Sequence, residues 1–156
     1  MAHEPHNLLF VCSGNICRSP MAEGIAGHYA EQRGRLIESR SAGTLHIEGR
    51  PADRNAVAVC AEIGIDISQH RSQGLTELLL DWADYVLVME FAHANYIRDH
   101  HPNCKELIML GHMAGMMEVG DPIGRWKPRF RRSRDEIQRC VESLIDRLPP
   151  KGKTAP

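Results

Sequence analysis

Apolar runs and helical patterns alternate along the chain, and the runs predict four short strands. The clearest is Asn7–Cys12, a continuous apolar run typical of a strand that is buried on both faces. The other candidate strands are Leu36–Ser41, Tyr85–Met89 and Glu106–Leu110.

Helical spacing of apolar residues predicts a helix after each of the first two strands and a long helix near the end of the chain. Pro20 and Pro51 are favoured first-turn residues and open the first two helices, and Gly64 ends the second. The last helix is predicted to start at a capping box formed by Ser133 and Glu136. Its apolar stripe consists of Ile137, Cys140, Val141, Leu144, Ile145 and Leu148.

Strands that alternate with helices indicate an α/β fold, here a four-stranded parallel sheet with helices on both faces. We expect a single domain over residues 1–148 and a disordered tail over 149–156, which is rich in proline and lysine. Ligands of such sheets bind beyond the carboxyl ends of the strands, where the strand order reverses. We therefore expect the functional residues in the loop after the first strand.

The charge balance limits the classes of partner. A formal net charge of -1 produces no field that would attract nucleic acid or an anionic membrane. No apolar run approaches the ~20 residues of a membrane span, and the beginning of the chain is too polar for a signal peptide. We therefore expect a cytoplasmic protein with neither nucleic acid nor a membrane as its partner.

Cysteine and histidine are plentiful, but their spacing does not predict a metal site. The five cysteines are scattered without the C-x2-C pairs of a zinc site, and none of the nine histidines forms an H-x3-H pair. We interpret the odd number of cysteines as reduced thiols, at least one of which is a candidate for reactivity.

The loop after the first strand carries a cysteine and, six positions later, an arginine. Cys12 ends the buried strand, Gly14 and Asn15 tolerate the left-handed backbone of a tight loop, and a helix starts at Pro20. Backbone N–H groups curled at a helix N-terminus bind an oxyanion, and the guanidinium of Arg18 can grip two of its oxygens. The loop therefore predicts a phosphate-binding site made of Cys12, Ser13, Gly14, Asn15, Ile16, Cys17, Arg18 and Ser19.

The positive environment of this loop is expected to stabilise the thiolate of Cys12 beneath a bound phosphate. Most cysteines at strand ends simply pack in the core, but packing does not explain the glycine, asparagine, arginine and serine around this one. A nucleotide-binding loop is excluded, because the Gly-Lys-Ser/Thr sequence is absent. Cys17 is interpreted as a packed thiol, with a resolving partner for Cys12 as the alternative.

A phosphate ester also needs a proton donor for its leaving oxygen, and Asp121 is a candidate. Pro122 biases Asp121 to an extended conformation, and Gly120 frees the loop to approach the site. Gly-Asp-Pro is also ordinary turn chemistry, so the local sequence leaves both interpretations open.

Together these residues resemble the low-molecular-weight protein tyrosine phosphatase family, in its bacterial form. The resemblance rests on Leu9–Glu23, Ser41–Thr44, Gly64–Arg71, Val88–Glu90 with His93, and Asp121–Pro122. It implies that Cys12 is the nucleophile of a cysteinyl-phosphate intermediate, that Arg18 binds the substrate and the transition state, and that Asp121 acts first as acid and then as base.

The resemblance has further implications for the site and its partner. It implies that Asn15, Ser19, Ser41 and His70 form a hydrogen-bonding network that holds the loop in shape. It also implies that the reaction needs no metal or cofactor. The implied partner is a phosphotyrosine-containing protein, with a bacterial tyrosine kinase as one candidate.

The sequence departs from the family at the wall of the substrate pocket. His46, which we expect among the substrate-binding residues, stands where many relatives have an aromatic residue, and Ile123 follows Asp-Pro in place of a tyrosine. Trp126 and Phe130 are candidate replacements, or ordinary packing residues. A basic run over 125–134 is either a solvated face or a surface that attracts acidic substrate flanks.

Three alternative functions are arsenate reduction, arginine dephosphorylation and non-catalytic binding of a phosphoprotein. Thioredoxin-coupled arsenate reductases resemble the chain but need further cysteines near positions 80 to 90, and Asp81–Met89 contains none. Protein arginine phosphatases carry threonine where this loop has Ile16, whose apolar side chain favours an aromatic ester. A non-catalytic phosphoprotein-binding module would have no use for a nucleophile and an acid together.

Overall fold

The predicted four-stranded parallel sheet is confirmed. The computed structural model describes residues 4–149. The strands are β1 (His6–Cys12), β2 (Ile37–Gly43), β3 (Tyr85–Val88) and β4 (Leu107–Met109). They lie in the order β2-β1-β3-β4, and every neighbouring pair is parallel.

The strand order reverses at β1, which has β2 on one side and β3 on the other. The register places Cys12 opposite Gly43 and Val11 opposite Val88, so three strands end at one edge of the sheet. This is the position at which ligands of open α/β sheets bind.

Two layers of helices cover the sheet. One layer contains α1 (Arg18–Gln32), α2 (Arg54–Ala61) and α5 (Lys127–Arg147), and the other contains α3 (Glu77–Trp82) and α4 (Phe91–His100). A 3-10 helix follows β4 at Leu110–Ala114.

Side chains of β1 alternate between the two layers, as the pleat of a strand requires. Leu8, Phe10 and Cys12 belong to the core cluster beneath α1, α2 and α5, whereas Leu9 and Val11 belong to the cluster beneath α3 and α4. Cys12 therefore ends a strand that is buried from both sides.

The predicted capping box at Ser133 is wrong. α5 begins at Lys127, and Pro128 lies in its first turn. Phe130 is fully buried and extends the apolar face of the helix towards its N-terminus, so Ser133 lies inside the helix. Glu136 pairs with Arg132 rather than with a cap.

The starts of the first two predicted helices also differ from the structure. α2 begins at Arg54, after Pro51, because the carboxylate of Asp53 caps it by accepting a hydrogen bond from the Asn55 N–H. α1 begins at Arg18, before Pro20, because the chain already turns into the helix at the end of the loop.

The end of the chain is described only as far as residue 149. Leu148 packs in the core, and the carbonyl of Pro149 accepts a hydrogen bond from the His6 ring. The rest of the predicted tail, 150–156, lies outside the described residues. Among residues 4–149, no helix combines the length and the apolar character that crossing a membrane requires.

Candidate active site

The loop between β1 and α1 is folded tightly against the end of β2. Asn15 is fully buried and adopts a left-handed backbone with φ of 58°. A Cβ at Gly43 would lie 2.6 Å from the carbonyl oxygen of Ser13 and 3.0 Å from the Asn15 nitrogen. Glycine at position 43 is therefore what allows the loop to approach β2 so closely.

The Asn15 side chain holds the loop from inside. Its Nδ2 donates to Ser19 Oγ at 2.8 Å and to Ser41 Oγ at 2.9 Å, and its Oδ1 accepts from the Gln73 N–H at 2.9 Å. The ring Nε2 of His70 donates to the Asn15 carbonyl at 2.7 Å. The structure thus brings together the four residues that were expected to form the supporting network, and it adds Gln73.

Cys12 lies at the bottom of the site with 3% of its surface exposed. Its Sγ is 3.0 Å from Ser19 Oγ. Because Ser19 Oγ already accepts a hydrogen bond from Asn15, its own proton is available for the sulfur. The Ser19 hydroxyl can therefore donate a hydrogen bond to the Cys12 sulfur.

Arg18 is 1% exposed and is held by three oxygens. Its Nη1 donates to Glu90 Oε2 at 2.7 Å and to the Val119 carbonyl at 2.8 Å, and its Nη2 is 3.5 Å from Asp121 Oδ2. The buried Nε has no hydrogen-bond partner within residues 4–149. One edge of the guanidinium is therefore fixed, and the Nε–Nη2 edge is available to an anion.

Asp121 takes part in a turn and also lies next to Arg18. Its Oδ1 accepts a hydrogen bond from the Ile123 N–H at 3.0 Å, which makes it a turn residue. Its Oδ2 faces Arg18, which also places it at the site. The other nearby carboxylate, Glu118, accepts from the Phe91 N–H and so serves the start of α4.

A cavity of about 180 Å³ opens above Cys12. Its lining comprises Cys12, Ser13, Gly14, Ile16, Cys17, Arg18, Leu45, Ile47, Asp121 and Ile123. Apart from the loop after β1, Arg18 and Asp121, its walls are therefore aliphatic.

His46, which was expected to bind substrate, is not among the lining residues. Its backbone is left-handed, with φ of 54°, and its Nε2 lies 3.1 Å from the hydroxyl of Tyr96. The residues on either side of it, Leu45 and Ile47, face the cavity instead.

The two aromatic candidates for the pocket wall do not line the cavity either. Trp126 is 85% exposed immediately before α5, and Phe130 is fully buried in the core. Phe130 is therefore a packing residue, and the aromatic wall of the family is replaced by aliphatic side chains.

Cys17 lines the cavity beside Cys12, and both are free thiols. Burial raises the pKa of Cys17 far above its ordinary value, and the negative charges of Asp53 and Asp121 add to this effect. Cys17 therefore stays protonated near neutrality.

The family model for low molecular weight phosphotyrosine protein phosphatases matches residues 7–154. The chain belongs to this phosphatase family. The resemblance that the motifs indicated is therefore confirmed.

Relatives of this phosphatase carry names of two substrate classes. The probable low molecular weight protein-tyrosine-phosphatase EpsP of Ralstonia nicotianae is 38% identical, with 93% of this chain and 97% of the relative covered. A protein-arginine-phosphatase of Geobacillus stearothermophilus is 37% identical, with 96% and 98% covered. The solved low molecular weight protein tyrosine phosphatase from T. tengcongensis has a TM-score of 0.88 and 38% identity, with 92% of this chain and 99% of that chain covered.

Two contacts of the phosphatase site were missed by sequence reasoning. Glu90 follows β3 closely and pairs with Arg18, and His93 Nε2 lies 2.8 Å from Ser13 Oγ. A signal for the first was available, because a buried arginine needs a carboxylate and Glu90 lies at the functional edge of the sheet. His93 is among the residues that carry the family resemblance, but the sequence did not indicate its contact with Ser13.

Proposed function

We propose that the protein hydrolyses phosphotyrosine monoesters in proteins through a cysteinyl-phosphate on Cys12. One observation carries this proposal: Cys12, Arg18 with its unpartnered Nε, and Asp121 line the same small cavity. An oxyanion bound by the loop would lie between a nucleophile and an acid.

In the first step, the loop N–H groups and Arg18 hold the phosphoryl group above Cys12. The thiolate attacks phosphorus and forms an S–P bond while the bond to the tyrosine oxygen breaks. Asp121 transfers its proton to the departing phenoxide, which leaves as neutral tyrosine. Ser19 stabilises the thiolate before the attack through its 3.0 Å contact with the sulfur.

In the second step, the same groups act in reverse. Asp121, now a carboxylate, takes a proton from a water molecule that attacks phosphorus. The S–P bond breaks, the thiolate of Cys12 is regenerated and inorganic phosphate is released. The hydroxyl of Ser19 again stabilises the charge that returns to sulfur.

The cavity walls support phosphotyrosine over phosphoarginine as the substrate. Ile16, Leu45, Ile47 and Ile123 offer an aromatic ring apolar contacts. A guanidinium among the same side chains would lose hydration and gain no hydrogen-bond acceptor from them.

The basic run after Asp121 supports a protein substrate with acidic flanks. Arg131 and Arg134 bind Glu62 and therefore serve the packing of α5. Arg125 and Lys127 are exposed beside the site and carry charge that complements an acidic segment. A tyrosine-phosphorylated bacterial kinase is one candidate substrate.

The location is proposed to be the cytoplasm, because the five cysteines are free thiols, which a reducing compartment preserves.

Rates on matched peptides that carry phosphotyrosine, phosphoarginine or phosphoserine test the substrate class. We expect the phosphotyrosine peptide to have the highest kcat/KM, and Cys12→Ser to abolish turnover while it retains anion binding. A preference for phosphoarginine would overturn the substrate assignment. Retention of about a tenth of the activity in Cys12→Ser would overturn the role of the nucleophile.

A further inference from the structure

His93 is buried next to the phosphate-binding loop, and both of its ring nitrogens are engaged. It is 2% exposed. Its Nδ1 accepts a hydrogen bond from the Glu90 N–H at 3.1 Å, and its Nε2 lies 2.8 Å from Ser13 Oγ. No step of the proposed mechanism uses either contact.

These partners determine where the protons are. A backbone N–H can only donate, so Nδ1 of His93 carries no proton, and in the neutral ring the proton is on Nε2. Nε2 therefore donates to Ser13 Oγ. The hydroxyl proton of Ser13 is then available to an acceptor other than His93. Ser13 lines the cavity above Cys12.

Burial keeps the ring of His93 neutral. Burial lowers the pKa of His93 to about 4, and the positive charge of Arg18 adds to this, while Glu90, Asp121 and Glu118 oppose it. Near neutrality the ring therefore remains a single-proton donor to Ser13 rather than a cation.

We propose that the hydroxyl of Ser13, oriented by His93, donates a hydrogen bond to the phosphoryl group held in the loop. Ser13 is then a substrate-binding side chain in addition to the loop N–H groups, and His93 is a positioning residue that acts through it. The inference rests on the proposed function, since it assumes that the loop binds a phosphoryl group.

The arrangement also links the hydroxyl of Ser13 to the guanidinium of Arg18. The carboxylate of Glu90 accepts hydrogen bonds from the Arg18 guanidinium and from the backbone N–H of His93. The backbone N–H of Glu90 in turn donates to Nδ1 of the His93 ring. Glu90 and His93, at the start of α4, therefore orient both the Arg18 guanidinium and the Ser13 hydroxyl for the anion.

The test measures the dissociation constant of inorganic phosphate by NMR titration of the backbone amides of the full chain near neutral pH. Ser13→Ala is expected to raise this constant by about tenfold or more, because a hydrogen bond to a charged group is lost. His93→Leu should raise it comparably, and His93→Gln should restore it, because the amide can both accept from Glu90 and donate to Ser13.

The double variant Ser13→Ala/His93→Leu separates positioning from general damage to the fold. We expect it to bind phosphate no more weakly than Ser13→Ala alone, because His93 has no hydroxyl left to orient. Thermal unfolding of each variant shows whether it is folded, and Ser13→Ala tests the hydroxyl even where a His93 variant is unstable.

Two results would overturn the inference. A dissociation constant for Ser13→Ala within about twofold of the wild type would remove the hydroxyl from phosphate binding. If His93→Leu raised the dissociation constant by the same factor in the wild type and in Ser13→Ala, His93 would not act by positioning the Ser13 hydroxyl. If the wild type bound no phosphate at all, the proposed function itself would fail, which is a distinct outcome.

Discussion

The carboxylate of Glu90 fixes the guanidinium of Arg18 through an ion pair of 2.7 Å. Arg18 is 1% exposed and Glu90 33%, so the arginine is buried with a partner that reaches solvent. An arginine that binds phosphate from a buried position must be held in one orientation before the substrate arrives. Glu90 supplies that constraint from the start of α4.

We expect Glu90→Gln to lower kcat/KM by about tenfold to a hundredfold, because one charged partner of a buried arginine is lost. Glutamine can still accept a hydrogen bond from the His93 N–H, so the cap of α4 is preserved. Steady-state kinetics on an aryl phosphate measure the effect, and Glu118→Gln at the same helix start is the matched control. An unchanged kcat/KM would mean that Arg18 is oriented without the charge of Glu90, by the Val119 carbonyl and Asp121.

Asp121→Asn separates acid catalysis from a turn role by the chemistry of the leaving group. We expect phosphotyrosine hydrolysis to slow by about 10²–10⁴, the range typical of proton transfer, and an ester of a very acidic phenol to slow much less. The amide oxygen can still accept from the Ile123 N–H, so the turn is retained. Equal slowing of both substrates would make Asp121 a structural residue.

Peroxide is expected to inactivate the enzyme reversibly through a Cys12–Cys17 disulfide. Oxidation of the Cys12 thiolate gives a sulfenic acid, which the Cys17 thiol attacks with loss of water. Mass spectrometry should locate the disulfide, and Cys17→Ser should convert inactivation to an irreversible one. Cys60 and Cys140 are internal controls, because both are fully buried in the core and neither lines the cavity that Cys12 and Cys17 share. Only sulfonic acid at Cys12 in the wild type would contradict the prediction.

Acidification is expected to destabilise the fold through His93. Its pKa is lowered from 6.5 to about 4 in the folded state, so between these values the unfolded chain binds a proton that the folded protein does not. Stability is unaffected by this group above pH 6.5 and falls as the pH drops towards 4, by at most about 3 kcal/mol. Urea unfolding at several pH values should show this slope in the wild type and a smaller one in His93→Gln. Identical slopes would show that other groups dominate acid unfolding.

Ser133→Ala is expected to stabilise the protein. The Ser133 hydroxyl is buried inside α5 and has no hydrogen-bond partner within residues 4–149. Removal of a buried, unpaired hydroxyl and the better helix propensity of alanine together favour folding by about 1 kcal/mol. Urea denaturation measures the free energy of unfolding, with Ser143→Ala at a half-buried position of the same helix as the reference for helix propensity. A destabilised Ser133→Ala would reveal a partner for the hydroxyl.

The sequence predicted best the features that are formed by consecutive residues. β1 is a continuous apolar run, and the loop from Cys12 to Ser19 carries its cysteine, glycine, asparagine and arginine side by side. The short helix α4 was not predicted, because only His93, Ala94 and Ile97 of its residues are buried and no apolar stripe forms.

The features that the sequence did not predict depend on contacts between distant segments. Glu90 is 72 positions from Arg18, and His93 is 80 positions from Ser13. The family resemblance placed His46 at the pocket, but its backbone is left-handed, and its neighbours Leu45 and Ile47 line the cavity instead. Side-chain direction at such a turn is set by the backbone angle, which one sequence does not specify.

Apart from Ile16, the apolar residues of the cavity wall lie outside the loop from Cys12 to Ser19. Asn15, Ser19 and Ser41 are buried in a rigid network, whereas Leu45 and Ile123 stand on surface loops with 64% and 48% of their area exposed. Exchange of the wall residues therefore leaves the network intact. Substrate preference in such an enzyme can therefore evolve through the wall residues while the loop network stays the same. Enzymes that share this fold can then differ in their substrates.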